Sequence, residues 1–247
     1  MKRTLLLAAM MIALAAAPAL AQGESEEGEK EKLWENSFGL SFNKNTGNSD
    51  TQNFGLDYKG SRKPTPWGLE LRAYFNSAKD SGIQTAEQYY VGGRGLRKIS
   101  KRWDVFAGLN FARDEFAGFK LRTVVEAGMT FNALIGPKNF LAFDGGLTYT
   151  DEDVVEPNPD TSYAGAILGL RYEYKFTDKS SFTQTIDYFP NFDDSADWRI
   201  TSETGVTASI TDLVGLKVGY MYRYRNQPIG DNESTDTTTT MSVVMNF

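Results

Sequence analysis

The chain has no histidine and no cysteine in 247 residues. A Ser-His or Cys-His nucleophile pair therefore cannot be assembled, which excludes His-dependent proteases, lipases and acyltransferases. Zinc and haem sites that use imidazole or thiolate ligands go with them. No disulfide framework is available, and no thiol can accept a lipid anchor. Long apolar runs are equally scarce. Beyond the first twenty or so residues, nothing approaches the roughly eighteen consecutive apolar residues that a membrane-spanning helix needs. Positive charge is in deficit: 26 Lys and Arg stand against 32 Asp and Glu, a formal net charge of −6. That balance argues against nucleic acid as a partner.

What is present begins with the first residues. Lys2 and Arg3 precede an apolar run from Leu5 to Leu20, and Ala19-Leu20-Ala21 offers small residues where a signal peptidase cuts. Residues 1–21 read as a signal peptide, so the mature chain starts at Gln22, and losing the two positive charges of Lys2 and Arg3 takes −6 to −8. Residues 22–33, dominated by "GESEEGEKEK", have almost nothing to bury and read as an acidic solvated tail. From Trp34 to Phe247 no composition break or linker divides the chain, which predicts one domain over 34–247.

Within that domain the periodicity is two. Trp67, Leu69, Leu71, Ala73 and Phe75 alternate with Gly68, Glu70, Arg72, Tyr74 and Asn76, and similar runs recur along the chain. Strands are predicted at 34–43, 50–59, 67–76, 86–96, 102–112, 119–132, 139–150, 162–175, 181–189, 197–210, 213–225 and 236–247. The fourth, "QYYVGGRGLR", fits either parity. An even count of segments of about this length matches bacterial outer-membrane barrels, whose strands cross a tilted path of roughly 9–11 residues. The expected fold class is all-β, a closed antiparallel transmembrane β-barrel of about twelve strands, with both ends on the periplasmic side. Links such as "SAKDSGIQTAE", "TDEDVVEPNPDTS" and "NQPIGDNEST" read as longer, acidic external loops. Links such as "SRKPTP", "GPKN" and "TDKS" read as short, often basic turns.

The distribution of side chains decides which face meets lipid. Glu70, Arg72, Arg122, Glu126, Asp144, Arg171, Glu173, Asp187, Glu203, Lys217, Arg223 and Arg225 all share the parity opposite the apolar face, which makes them lumen-lining candidates. Turning a strand over would put each Arg or Lys against hydrocarbon at a cost of roughly 2–4 kcal/mol at mid-depth. Aromatics sort to the strand ends. Tyr58, Trp67, Trp103, Phe140, Tyr174 and Phe247 fall at one end, and Phe42, Phe75, Phe111, Tyr149, Tyr188 and Trp198 at the other, as two interfacial girdles. A mean hydropathy of −0.41 is compatible with this, because only half of each strand has to be apolar. The closing "MSVVMNF" carries Met241, Val243, Met245 and Phe247 on one face, as a last strand against lipid would. A secreted soluble β-protein is the competing fold reading.

Three stretches resemble the YdiY-type family of Gram-negative outer-membrane proteins, often labelled salt-induced or acid-inducible. They are "WENSFGLSFNKNTGNSDTQNFGLDYKG", "LRKISKRWDVFAGLNFARDEFAGFKLR" and "VVEAGMTF". The resemblance implies an outer-membrane barrel of largely unassigned molecular role and carries no catalytic motif. Phe247 also resembles the C-terminal aromatic signature of outer-membrane proteins, which implies recognition by the barrel-assembly machinery.

The remaining chemistry is modest. Glu70, Glu126, Asp144, Asp187 and Glu203 could share protons in pairs, but lumenal ion pairing with Arg72, Arg122, Arg171 and Arg223 explains them more simply. "VGGRGLR" lacks the strand-turn-helix context of a phosphate loop, so its glycines read as close-packing strand residues. Asp151, Glu152, Asp153, Glu156 and Asp160 read as a solvated acidic loop, facing lipopolysaccharide and lacking the spacing of an EF-hand. No cofactor or metal is expected. Two roles stand open: a narrow channel for small polar solutes or ions, and a closed barrel serving envelope integrity or surface interaction. An enzyme is the weakest third.

Overall fold

The computed structural model describes residues 34–45 and 51–246, with side chains described over 34–42 and 51–245. The signal-peptide, tail and Phe247 assignments lie outside the described residues. Twelve strands form one antiparallel sheet: β1 (Trp34–Asn45), β2 (Thr51–Arg62), β3 (Trp67–Asp80), β4 (Ile83–Lys98), β5 (Trp103–Asp114), β6 (Phe119–Ile135), β7 (Asn139–Val154), β8 (Thr161–Thr177), β9 (Ser180–Pro190), β10 (Trp198–Ser209), β11 (Val214–Arg225) and β12 (Thr235–Asn246). Each strand pairs with its sequence neighbours, and β12 returns to β1 through Phe38↔Met245 and Leu40↔Val243, so the sheet is a closed barrel. The seam is short, running over the four pairs from Ser37↔Asn246 to Leu40↔Val243, and it joins the two edges that an open sheet would expose.

The register fixes which parity is inside. Arg72 on β3 reaches Glu203 on β10, five strands away around the ring, and such a contact is possible only across the interior. Residues paired with Arg72 and its alternates face inward. Those of the other parity, including Leu109, Val125, Leu147, Leu168, Val218 and Met241, form an outward band; Leu147 is 67% and Met241 75% exposed. On this outer surface Tyr58 folds across Gly60, donates to Asn36 Oδ1 at 3.1 Å and packs with Phe38, Leu71, Ala73 and Val91.

The ambiguous fourth strand resolves. β4 turns Gln88, Tyr90, Gly92, Arg94 and Leu96 inward, because Arg94 pairs in register with Glu70 and bonds Glu126 and Asp144. The interior is not wholly polar, since Leu96, Phe106 and Ile167 form a buried apolar cluster joined by Phe189.

Three expectations need correction. The long external loop over "SAKDSGIQTAE" is a two-residue hairpin at Ser81-Gly82, where both residues have positive φ (51° and 79°). That pair of angles belongs to turns whose twist matches the flanking strands. Glu152 is not in a solvated loop, because β7 continues to Val154 and holds Glu152 at 1% exposure on the inner face. Two aromatics also leave the girdles: Tyr58 is buried in the outer cluster, and Phe140 pairs with Glu173 on the lumen side and lines the interior.

Candidate functional site

The inner faces of the strands line two large cavities and a small one of about 60 Å³ beside Glu203 and Lys217. One large cavity opens at the loop end, has a volume of about 490 Å³, and reaches from Phe116 and Asn232 down to Arg72 and Asp187. The other opens at the end where β1 starts and β12 finishes, has a volume of about 730 Å³, and reaches from Glu35 and Lys179 up to the same level. Five residues line both: Arg72, Tyr90, Asn110, Asp187 and Phe189. They define a waist.

Ion pairs across the lumen narrow that waist. Glu203 accepts from Arg72 Nη2 at 2.6 Å, Lys59 Nζ at 2.8 Å and Lys217 Nζ at 3.3 Å, so cations of β2, β3 and β11 meet a carboxylate of β10. A second lattice is built on Asp144, which accepts from Arg94 Nη1 at 2.8 Å, Arg171 Nη2 at 3.0 Å and the Thr130 hydroxyl at 2.6 Å. Arg94 also donates to Glu126 at 3.0 Å, and Arg171 spans the lumen to Glu70 on β3 at 2.6 Å. The Arg72–Glu203 and Arg171–Glu70 contacts therefore act as struts between opposite walls. Arg223 on β11 makes a third crossing to the Gln88 carbonyl oxygen on β4 at 3.1 Å.

Nearer the loop end, Glu152 gathers arginines from three strands. Arg122 Nε donates at 2.7 Å, Arg225 Nη1 at 2.9 Å, and Arg199 lies at 3.9 Å. Asp197, in the link before β10, takes the remaining edge of Arg225 at 3.1 Å. Aromatic rings sit under several guanidiniums: Phe119 lies 3.9 Å from Arg122, Phe106 4.1 Å from Arg94, and Tyr74 5.4 Å from Arg72. Stacking leaves the N–H edges of a planar cation free to bond in the ring plane.

All twelve residues singled out by parity lie on inner-face register positions, and the register brings most of them into these lattices. Glu173 stands apart near the terminal mouth, with Lys175 at 3.9 Å. Asp187 has no cation within 4.0 Å and no hydrogen bond among the described residues. Lys59, Arg94, Glu152 and Arg199 also belong to the site. Arg199 shares the parity of Glu203, and Lys59 that of Asp57, so alternation alone could have found both. Gly92 is a close-packing residue: a Cβ there would meet Asn110 Oδ1 at 2.3 Å, because the Tyr90 hydroxyl donates to Asn110 directly over it.

On the outer rims, Trp67 is 60% and Trp103 41% exposed, with Trp103 against Phe131 at 4.9 Å and Tyr174 against Phe176 at 5.2 Å. At the loop rim Tyr149 is exposed, and Trp198 packs between Tyr188 and Tyr224.

Comparison with known proteins follows the barrel. A family model described as "Protein of unknown function, DUF481" matches residues 38–247. The chain is 27% identical over 180 residues to the uncharacterized protein YdiY of Escherichia coli (strain K12), covering 72% of this chain and 69% of that one. Among solved structures it is similar to the COG4313 outer membrane channel from Pseudomonas putida F1, with a TM-score of 0.52, 12% identity, and coverage of 91% of this chain and 100% of that one. The NanC porin gives a TM-score of 0.48 at 11% identity, over 86% of this chain and 97% of the porin. These likenesses to solved structures concern the fold.

Proposed function

We propose that this chain, which belongs to the DUF481 family of proteins of unknown function, is an outer-membrane barrel that passes ions and small polar solutes through a narrow, mixed-charge lumen. The observation that carries this is the pair of cavities, entering from opposite ends and sharing the five residues of the waist. A barrel of this strand number lies between the roughly eight-stranded kind, filled by side chains, and the roughly sixteen-stranded kind with an open pore. The struts then set how much passes.

The outward band supports the membrane location. Exposed aliphatic residues on successive strands, framed by aromatic rims, would be a large apolar patch in water and are at ease in hydrocarbon. Export by the leader, insertion through the barrel-assembly machinery by way of Phe247, and contact of the loop end with lipopolysaccharide belong to this proposal. So does the absence of catalysis, on the composition already given.

The struts favour a second reading, a closed barrel with an envelope-integrity or surface role. Planar-bilayer recording of the refolded protein separates the two. The channel reading expects discrete conductance steps in the native protein and larger steps in Arg72→Ala and Glu203→Ala, where a crossing is removed. Silence in the native protein and in both variants would establish the closed barrel instead.

A further inference from the structure

Resting on the channel reading, we propose that Asp187 is a stepping site for small monovalent cations at the waist and makes the passage cation-preferring. Of the five residues shared by the two cavities, only Arg72 and Asp187 carry charge. The charge of Arg72 is met by Glu203 at 2.6 Å. That of Asp187 is met by nothing within 4.0 Å among the described residues. Of the cations around it, Arg94 is held by Glu126 and Asp144, Arg171 by Glu70 and Asp144, and Lys59 and Lys217 by Glu203, while Arg223, in register with Thr201, bonds the Gln88 side-chain oxygen rather than Asp187. The level that the two cavities share therefore keeps one carboxylate without an ion pair.

Its neighbours suit a cation with part of its hydration shell. Asp187 is paired in register with Gly169 and Thr201. A Cβ at Gly169 would come within 3.0 Å of Asp187 Oδ1 and 3.4 Å of Asp144 Oδ2, so the missing side chain gives both carboxylates room. Thr201, Asn110 and Tyr90 supply neutral oxygens around the same space. One carboxylate with neutral oxygens suits potassium, sodium, ammonium or a small primary amine better than a divalent ion, which needs several anionic ligands. Toward the loop end the cavity wall carries Asp114, Glu233 and Asp236 together with Arg113, Arg122, Arg199, Arg223 and Arg225, of which Arg113 is held by Glu115 and Arg122, Arg199 and Arg225 by Glu152.

The test is the reversal potential of the refolded, full-length mature protein in a KCl gradient across a planar bilayer. The native protein should prefer potassium over chloride. Asp187→Asn should lower that permeability ratio by about threefold or more, as expected when one charge is removed from a narrow lumen. Asp193→Asn, on the exposed loop, should leave it unchanged. If Asp187→Asn does not fold, Thr201→Lys places an ammonium on the paired position and should lower the ratio in the same way. A native protein that prefers chloride, or a conducting Asp187→Asn or Thr201→Lys with the native ratio, overturns the assignment. Absence of conductance in the native protein and in the strut variants overturns the channel reading itself.

Discussion

A carboxylate removed from water needs its charge met by protein groups, and Glu152 shows how completely this barrel does so. Its side chain has no solvent contact, and Arg122, Arg199 and Arg225 surround it from three strands. Replacing the acid while keeping its shape leaves three partly buried cations with one counter-charge fewer. Glu152→Gln is therefore expected to destabilise the folded barrel by about 3 kcal/mol, read from urea unfolding in lipid vesicles. Glu173, half-exposed and 3.9 Å from its lysine, should cost no more than about 0.5 kcal/mol in the same assay when changed to Gln. The two residues look alike as letters. Parity places Glu173 on the inner face, whereas Glu152 is flanked by Asp151 and Asp153 and followed by two adjacent valines, Val154 and Val155, so alternation carries no signal there.

At the scale of the element, the β3–β4 hairpin follows the same logic. Strands extend beyond the apolar band, and there both faces are polar, so "SAKDSGIQTAE" has the composition of a loop although its backbone is paired up to Asp80↔Ile83. What marks the turn is conformational: Ser81 and Gly82 both lie at positive φ. A Cβ at Gly82 would meet nothing within 4 Å, so a substitution there costs backbone strain alone. Gly82→Ala should lower stability by about 1 kcal/mol in the unfolding assay. A cost near zero would mean that the hairpin has another conformation. Elsewhere the predicted strands coincide with the observed ones near their centres; most fall short at their ends, as at 139–150 against Asn139–Val154, because the apolar alternation exists only where one face is outward and uncovered, whereas the tenth, at 197–210, overshoots Trp198–Ser209 by one residue at each end.

For the whole molecule, the sidedness of the barrel is what a membrane would read. Leu147 lies on the outward face of β7 at mid-strand and is 67% exposed. Leu147→Arg should cost roughly 2–4 kcal/mol for folding into bilayers and close to nothing if the outer surface faces water, so vesicle-folding titrations decide between the two. The sequence by itself determined the strand number, the parity of most strands and the separation of charged from apolar faces, because a two-residue period is local and is written in adjacent side chains. Only the tertiary structure decided which acid meets which base across the lumen, where the waist lies, which way β4 turns, and that Asp187 is left without a partner. Those outcomes depend on the stagger of strands five apart around a closed ring, a distance over which no local pattern of residues carries information.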